Sequence, residues 1–315
     1  MKDMYIGIDV GGTSIKYALV NERGEVSERA FMPTSLEKKS FLFDLVKIIR
    51  DFQKKNKNIK GVGISAPGVI QKDGKMTTAG AIKSLYGINL KDEIEQQITL
   101  PVFVENDANA AAIAENWIGN AQGIENYLCV VLGTGMGGGI VINGEVYRGR
   151  HGMAGEFGWM MIDRLPKKGD IEVVSLNQRA AVVGGLCYRY NQAMKKINPE
   201  FQKITDARVI LEQEDSNEIA KKILQQFYQD LSMGIMNLIS CFDPEVVLIG
   251  GGISENDHFF ERLTQTLETM EKRHGSIAFL KEKGMASIEQ TKLGNDAGLI
   301  GAVYQIHKLV WNSSF

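Results

Sequence analysis

The feature that most constrains this chain is a unit that occurs twice: an apolar strand, a glycine corner, and a second strand running back. Tyr5 to Val10 is short, apolar and β-branched, Gly11, Gly12 and Thr13 interrupt it, and Ile15 to Val20 follows before the turn Glu22-Arg23-Gly24. The unit recurs as Tyr127 to Leu132, a corner from Gly133 through Gly139, a return strand Ile140 to Ile142 and the turn Asn143-Gly144. Two such hairpins predict two related half-domains. Around them, Phe41 to Phe52 has apolar residues at helical spacing, Lys60 to Ala66 reads as a strand ending at Pro67-Gly68, and Ala108 to Trp117 as a helix stopped by Gly119. Ile219 to Cys241 reads as a long buried helix ended by Asp243-Pro244. The strand Glu245 to Ile249 then runs into a third corner, Gly250-Gly251-Gly252, and Ala297 to Val310 is an amphipathic helix. Strands alternating with helices predict an α/β fold.

At 315 residues the chain is long enough for two domains. Lysine and arginine number 36 against 38 acidic residues, so no field collects nucleic acid or an anionic membrane surface. Cys129, Cys187 and Cys241 lie far apart, form no C-x-x-C pair and read as small buried apolar residues. The N-terminal sequence enters a strand pattern without an apolar run suited to a signal peptide or membrane span, so the expected location is the cytoplasm.

Glycine corners bare the backbone N–H groups, and several of these in one concavity make a nest for phosphate. Thr13 and Thr134 add hydroxyls, Lys16 adds charge, and Asp9 suits the water shell of a phosphate-bound Mg²⁺. The alternative is two tight hairpins with structural glycines. Gly133-x-Gly135-x-x-Gly138 matches the dinucleotide fingerprint literally, but that fingerprint needs a helix to follow, and IVINGEVY is a strand and turn. Neither a P-loop nor a protein-kinase catalytic loop is present.

In PVFVENDANAAAIAE, Asp107 stands between an apolar strand and an alanine-rich helix, where burial would be costly. Asn106 or Asp107 suits a helix N-cap, and Asp107 also suits the acceptor of a hydroxyl proton during phosphoryl transfer, with Asn106 holding an adjacent hydroxyl. Both readings can hold together, since a helix N-terminus favours a carboxylate. Glu156, between Gly155 and Gly158 in HGMAGEFGW, is either a sugar-hydroxyl ligand or an exposed turn residue. His151 receives no role, and Trp159 either stacks on a sugar face or, more simply, fills core.

The ordered set Asp9-x-Gly11-Gly12-Thr13-x-x-Lys16, GISAPG at 63–68, ENDAN at 105–109, GTGMGGG at 133–139, AGEFG at 154–158 and GGG at 250–252 resembles the ROK family of sugar kinases and sugar-responsive repressors. The resemblance spans almost the whole chain. It implies an actin-like, hexokinase-type (ribonuclease H-like) two-domain fold with an interdomain active-site cleft. The expected domains are 1–118 plus 297–315, the smaller, and 119–296, the larger. It places the catalytic base on Asp107 and sugar contacts on Gly68, Asn106, Asp107, Glu156 and Asn177. ATP contacts fall on Asp9, Gly11, Gly12, Thr13, Lys16, Gly133, Thr134, Gly135, Gly250, Gly251 and Gly252, with ATP and Mg²⁺ as cofactors.

The family's zinc-binding histidine position is Trp159 here and its cysteine motif is absent, so no zinc is expected. The glutamate that follows those cysteines is replaced in Ser175-Leu176-Asn177. These departures resemble the zinc-free β-glucoside kinase branch, which implies transfer to the 6-hydroxyl of cellobiose or a related β-glucoside. A pocket with fewer polar groups around the anomeric end leaves room for an aglycone. Glucose and N-acetylmannosamine are the alternative substrates, and a non-catalytic sugar sensor or repressor the remote one. The repressors carry a helix-turn-helix domain, for which no room is expected ahead of Tyr5. The resemblance also implies a homodimer.

Overall fold

The computed structural model describes residues 3–312; residues 1–2 and 313–315, which the first expected domain includes, lie outside the described residues. Along the chain come β1 (Met4–Val10), β2 (Ser14–Asn21), β3 (Val26–Pro33), α1 (Lys38–Lys55), β4 (Ile59–Ala66), α2 (Leu90–Glu95), β5 (Val102–Asn106), α3 (Asp107–Ile118), β6 (Tyr127–Leu132), β7 (Met136–Ile142) and β8 (Glu145–Val146). There follow α4 (Leu176–Ala180), α5 (Tyr188–Ile197), α6 (Arg208–Leu211), α7 (Glu218–Phe242), β9 (Val246–Gly250), α8 (Asp257–Arg273), α9 (Gly275–Lys281), β10 (Ser287–Gln290) and α10 (Ala297–Asn312). The chain divides into two units. The first runs to Ile124 and adds Gly139–Gly155 and the residues from Asn295; the second holds Glu125–Gly138 and Glu156–Gly294.

One five-stranded sheet has the order β3-β2-β1-β4-β5 and the other β10-β9-β6-β7-β8. Read from the opposite edge, the second repeats the first: β6 corresponds to β1, β7 to β2, β9 to β4. The paired hairpins in the sequence thus report a duplicated topology. β1 pairs antiparallel with β2 and parallel with β4, while β6 pairs parallel with β9, and β9 with β10.

In the first unit, Ile6, Ile8 and Val10 face one side of the sheet and pack with Phe41, Leu45 and Ile49 of α1. Glu37 caps that helix, accepting a hydrogen bond from Ser40 N–H at 2.8 Å. By strand alternation Tyr5, Gly7 and Asp9 face the other side, where α3 and α10 lie. The small residues there are needed. A Cβ on Gly63 would lie 2.3 Å from the Ala302 carbonyl oxygen, and one on Gly301 would lie 1.8 Å from that of Ala110. Backbone therefore meets backbone from β4 through α10 to α3, which is how the alanine-rich segment after Asp107 is used.

Several sequence expectations are refined. The return strand starts at Met136, not Ile140, because only Gly133 to Gly135 form the corner; Gly138 lies within β7, where a Cβ would strike the Phe157 ring at 2.1 Å. Helix α7 buries a stripe, including Leu224, Leu231 and Leu238, rather than its whole surface, so Cys241 is exposed while Cys129 and Cys187 are buried. It ends where Asp243 takes the left-handed conformation, φ 43°, ahead of Pro244. Among the described residues no helix is long and apolar enough to cross a membrane.

Candidate active site

The first unit presents two arrangements. Its glycine corner joins β1 to β2 in a register that sets Asp9 opposite Lys16. Gly11 N–H donates to the Ser14 carbonyl at 2.9 Å. The corner's carbonyls are held from outside by Thr34, whose hydroxyl donates to Gly11 O at 2.7 Å and whose N–H donates to Thr13 O at 3.0 Å. The N–H groups of Gly12 and Thr13 meet no acceptor among the described residues. A loop with its acceptors turned away and two donors left over is suited to an anion.

Beside this loop, Asp9 accepts a hydrogen bond from the Ser65 hydroxyl at 2.9 Å. Burial pushes its carboxyl above the usual range, against the lowering effects of Ser65 and Lys16 and with some help from Asp296. A carboxylate so desolvated gains from a nearby cation. The bare face of Gly298 adjoins it, since a Cβ there would lie 2.5 Å from Asp9 Oδ1. Lys16 Nζ donates to Asn295 Oδ1 at 3.4 Å. These residues fit a hydrated Mg²⁺ carried on a phosphate.

The other arrangement is the start of α3. Asn106 is the N-cap, its Oδ1 accepting from Asn109 N–H at 3.0 Å. Its Nδ2 donates to the Gly68 carbonyl and to Asp107 Oδ1, each at 3.0 Å. Asp107 Oδ1 also accepts from Ala108 N–H at 2.8 Å. Asp107 is exposed, so the expected burial cost does not arise: it occupies the first helical position, where the dipole favours a negative charge. Gly68, at φ 97°, is pressed against the Thr78 carbonyl, where a Cβ would lie 2.5 Å away.

The second unit repeats the first loop's logic with other partners. Gly133 O accepts from the N–H groups of Val182 and Val183 at 3.0 and 3.2 Å, and Thr134 O from that of Gly184 at 3.0 Å. These donors open a π-helical segment, Val182–Cys187. The N–H groups of Thr134 and Gly135 are left without an acceptor among the described residues, and Met136 N–H donates to Asn177 Oδ1 at 2.9 Å. Asn177 thus supports this loop directly. At the third corner, Gly251 has φ 93° and lies where a Cβ would come within 2.0 Å of the Leu132 carbonyl oxygen, which ties it to the end of β6. Gly252 is open and exposed.

Glu156 is half-buried, its carboxylate pairs with no described side chain, and burial pushes its carboxyl above the usual range. That is not the setting of an exposed turn residue. Trp159 does not fill core: it is 56 % exposed, because Phe157 and Gly158 take the inward positions of the same short 3-10 turn. His151 is exposed. Sequence reading missed Thr34, Ser65, Gly298 and the amides at 182–184; of these only the pair Gly184-Gly185 carried a signal. Replacing Thr34 by Val keeps its N–H bond but removes the bond to Gly11 O, worth about 1 kcal/mol. With the loop as the ATP-phosphate contact that the ROK resemblance implies, the expected result is a roughly fivefold rise in KM for ATP with sugar affinity unmoved, read from ADP release at varied ATP; an unchanged KM would deny the loop this support.

The ROK family model matches residues 5–308, and the chain belongs to the ROK family. It is 33 % identical to a β-glucoside kinase from Listeria monocytogenes, over 94 % of this chain and 95 % of that protein. It is 31 % identical to a glucokinase from Halalkalibacterium halodurans, over 94 % and 93 % respectively. A solved ROK family glucokinase from Streptomyces griseus, in complex with glucose and AMPPNP, superposes with a TM-score of 0.79 at 27 % identity, covering 97 % of this chain and 99 % of that one. The fold is the actin-like, hexokinase-type one, and the protein is a ROK sugar kinase.

Proposed function

We propose that this kinase transfers the γ-phosphoryl group of ATP to the 6-hydroxyl of a β-glucoside such as cellobiose, with Asp107 as general base. The observation that carries the reading is the fixed Asn106–Asp107 pair at the head of α3, where one side chain can hold a hydroxyl and the next can take its proton. In the step, a carboxylate oxygen of Asp107 accepts the hydroxyl proton, the sugar O6–P bond forms, and the bond from γ-phosphorus to the bridging oxygen breaks with release of ADP. Mg²⁺, with Asp9 holding its water shell, would supply charge neutralisation. The donor loops at Gly12–Thr13 and Thr134–Gly135 would bind phosphate oxygens, Gly250 to Gly252 would face adenosine, and Glu156 would accept from sugar hydroxyls.

Preference for a β-glucoside is supported by the relatives named β-glucoside kinase and by Trp159, an exposed indole one 3-10 turn beyond Glu156 and able to stack on an aglycone. The second reading, phosphorylation of free glucose, rests on the relative named glucokinase. The experiment is ADP release with ATP and Mg²⁺ over cellobiose, a β-aryl glucoside, glucose and N-acetylmannosamine. The expected kcat/KM is highest on the two β-glucosides; preference for a monosaccharide would overturn the substrate assignment and leave the kinase.

A further inference from the structure

Glu105, immediately before Asn106, is only 2 % exposed, yet it is a carboxylate. One of its oxygens pairs with Arg148 Nη2, whose side chain is 15 % exposed. The other, Oε1, accepts from the backbone N–H of Asn106 at 3.0 Å and from Asn109 Nδ2 at 3.4 Å. Arg148 also donates to the Val146 carbonyl at 3.3 Å. The proposed chemistry uses neither charge. A hydrophobic pair of similar size would satisfy packing at less desolvation cost, so a buried ion pair here asks for another reason.

We propose that Glu105 and Arg148 are positioning residues for phosphoryl transfer, fixing the Asn106–Asp107 backbone at the head of α3 and the start of the loop that leads to Glu156. This rests on the reading of Asp107 as base. Seven hydrogen bonds among the described residues converge on the turn from β5 into α3, and through one of them Glu105 Oε1 accepts from the N–H of Asn106, the last residue of the strand. Arg148 reaches it from the segment after β8. Its own carbonyl accepts from Ala154 N–H at 3.3 Å, so the same residue closes the loop just before Gly155 and Glu156. Arg148 thereby holds, with its side chain, the carboxylate that meets the Asn106 N–H and, with its backbone carbonyl, the end of its own segment at Ala154. A charged pair suits this task because its oxygens and N–H groups hold fixed directions, which an apolar contact does not.

The test is a cycle on kcat with Arg148→Met, Arg148→Lys, Glu105→Met and the double variant Glu105→Met/Arg148→Met, on the full-length protein with its best substrate from the panel. Displacement of a base by about 1 Å costs on the order of 10²-fold. The expected result is a fall of that size for each of Arg148→Met and Glu105→Met, partial recovery in Arg148→Lys, and a double variant no worse than either single one. The dissociation constant for ADP is expected to be unchanged, which a general loss of structure would not allow. The double variant buries no unpaired charge, so it reads the positioning role even if a single variant folds poorly. A kcat within threefold of the parent in the double variant, or losses that simply multiply, would overturn the proposal. Asp107→Asn measured alongside separates the two readings: if it is inactive while the double variant is not, the ion pair is idle and the base stands; if it turns over, the base assignment itself fails.

Discussion

Asp107→Asn is expected to lower kcat by about 10³-fold, within the roughly 10²–10⁴-fold range of general-base catalysis, while leaving the sugar dissociation constant within a few fold. The geometry explains why the substitution is clean. Asp107 Oδ1 accepts from Ala108 N–H and from Asn106 Nδ2, so an asparagine would keep its oxygen on those donors and turn its NH₂ to the position of the other carboxylate oxygen. The amide cannot accept a proton there. The cap on α3 belongs to Asn106 and survives, so the melting temperature should move little. Calorimetric titration with sugar alongside steady-state ADP release measures both quantities, and near-parental turnover would remove Asp107 from the mechanism.

Gly301→Ala is the second large effect, and two opposing terms decide its sign. Within a helix, alanine is favoured over glycine by about 1 kcal/mol. Against this, the new methyl would lie 1.8 Å from the Ala110 carbonyl oxygen, and since both partners are helix backbone, neither can rotate away. Overpacking of this kind costs about 1–3 kcal/mol and sometimes more, and a contact this short belongs at the upper end. The expected net loss is about 2 kcal/mol, a fall in Tm of roughly 4–8 °C at the 2–4 °C per kcal/mol of domains of about 150–250 residues. Turnover should fall as well, because α3 carries Asp107 at its first position and α10 has Gly298 against Asp9. Gly275→Ala, at the first position of α9 with nothing within 4 Å of its Cβ position, is the control expected to be neutral to slightly stabilising. Equal melting temperatures for the two variants would refute the packing argument.

The hairpins were legible because strand–glycine–strand is a local pattern, and so was the cap at Asn106, whose signal lies within four residues. Helix α1 was legible from its apolar spacing and α10 likewise. The support of the glycine corners was not: Thr34 reaches Gly11 across two strands and a turn, and the amides at 182–184 reach Gly133 and Thr134 from about fifty residues away. Trp159 was misjudged because hydrophobicity predicts burial on average, whereas the 3-10 turn at Phe157 to Trp159 gives the inward places to its neighbours. The asymmetry is physical. Short-range hydrogen bonds leave a residue-type signature, while contacts between distant segments select only for a shape.

The seat of α10 on β1 and β4 also sets an order of assembly. Gly7 and Gly63 meet Leu299 and Ala302, which the ribosome adds only after the whole of the second unit. At about 5–20 residues per second, the glycine face of the first sheet waits on the order of 10–50 s for its cover. The unit that begins first is therefore completed last, and a nascent chain stalled before Ala297 would hold Asp107 without the helix that packs behind it. Of the carboxylates described above, Asp9 acquires its neighbour Gly298 only once α10 has been made, whereas the bonds that hold Asp107 and Glu105 come from segments added long before.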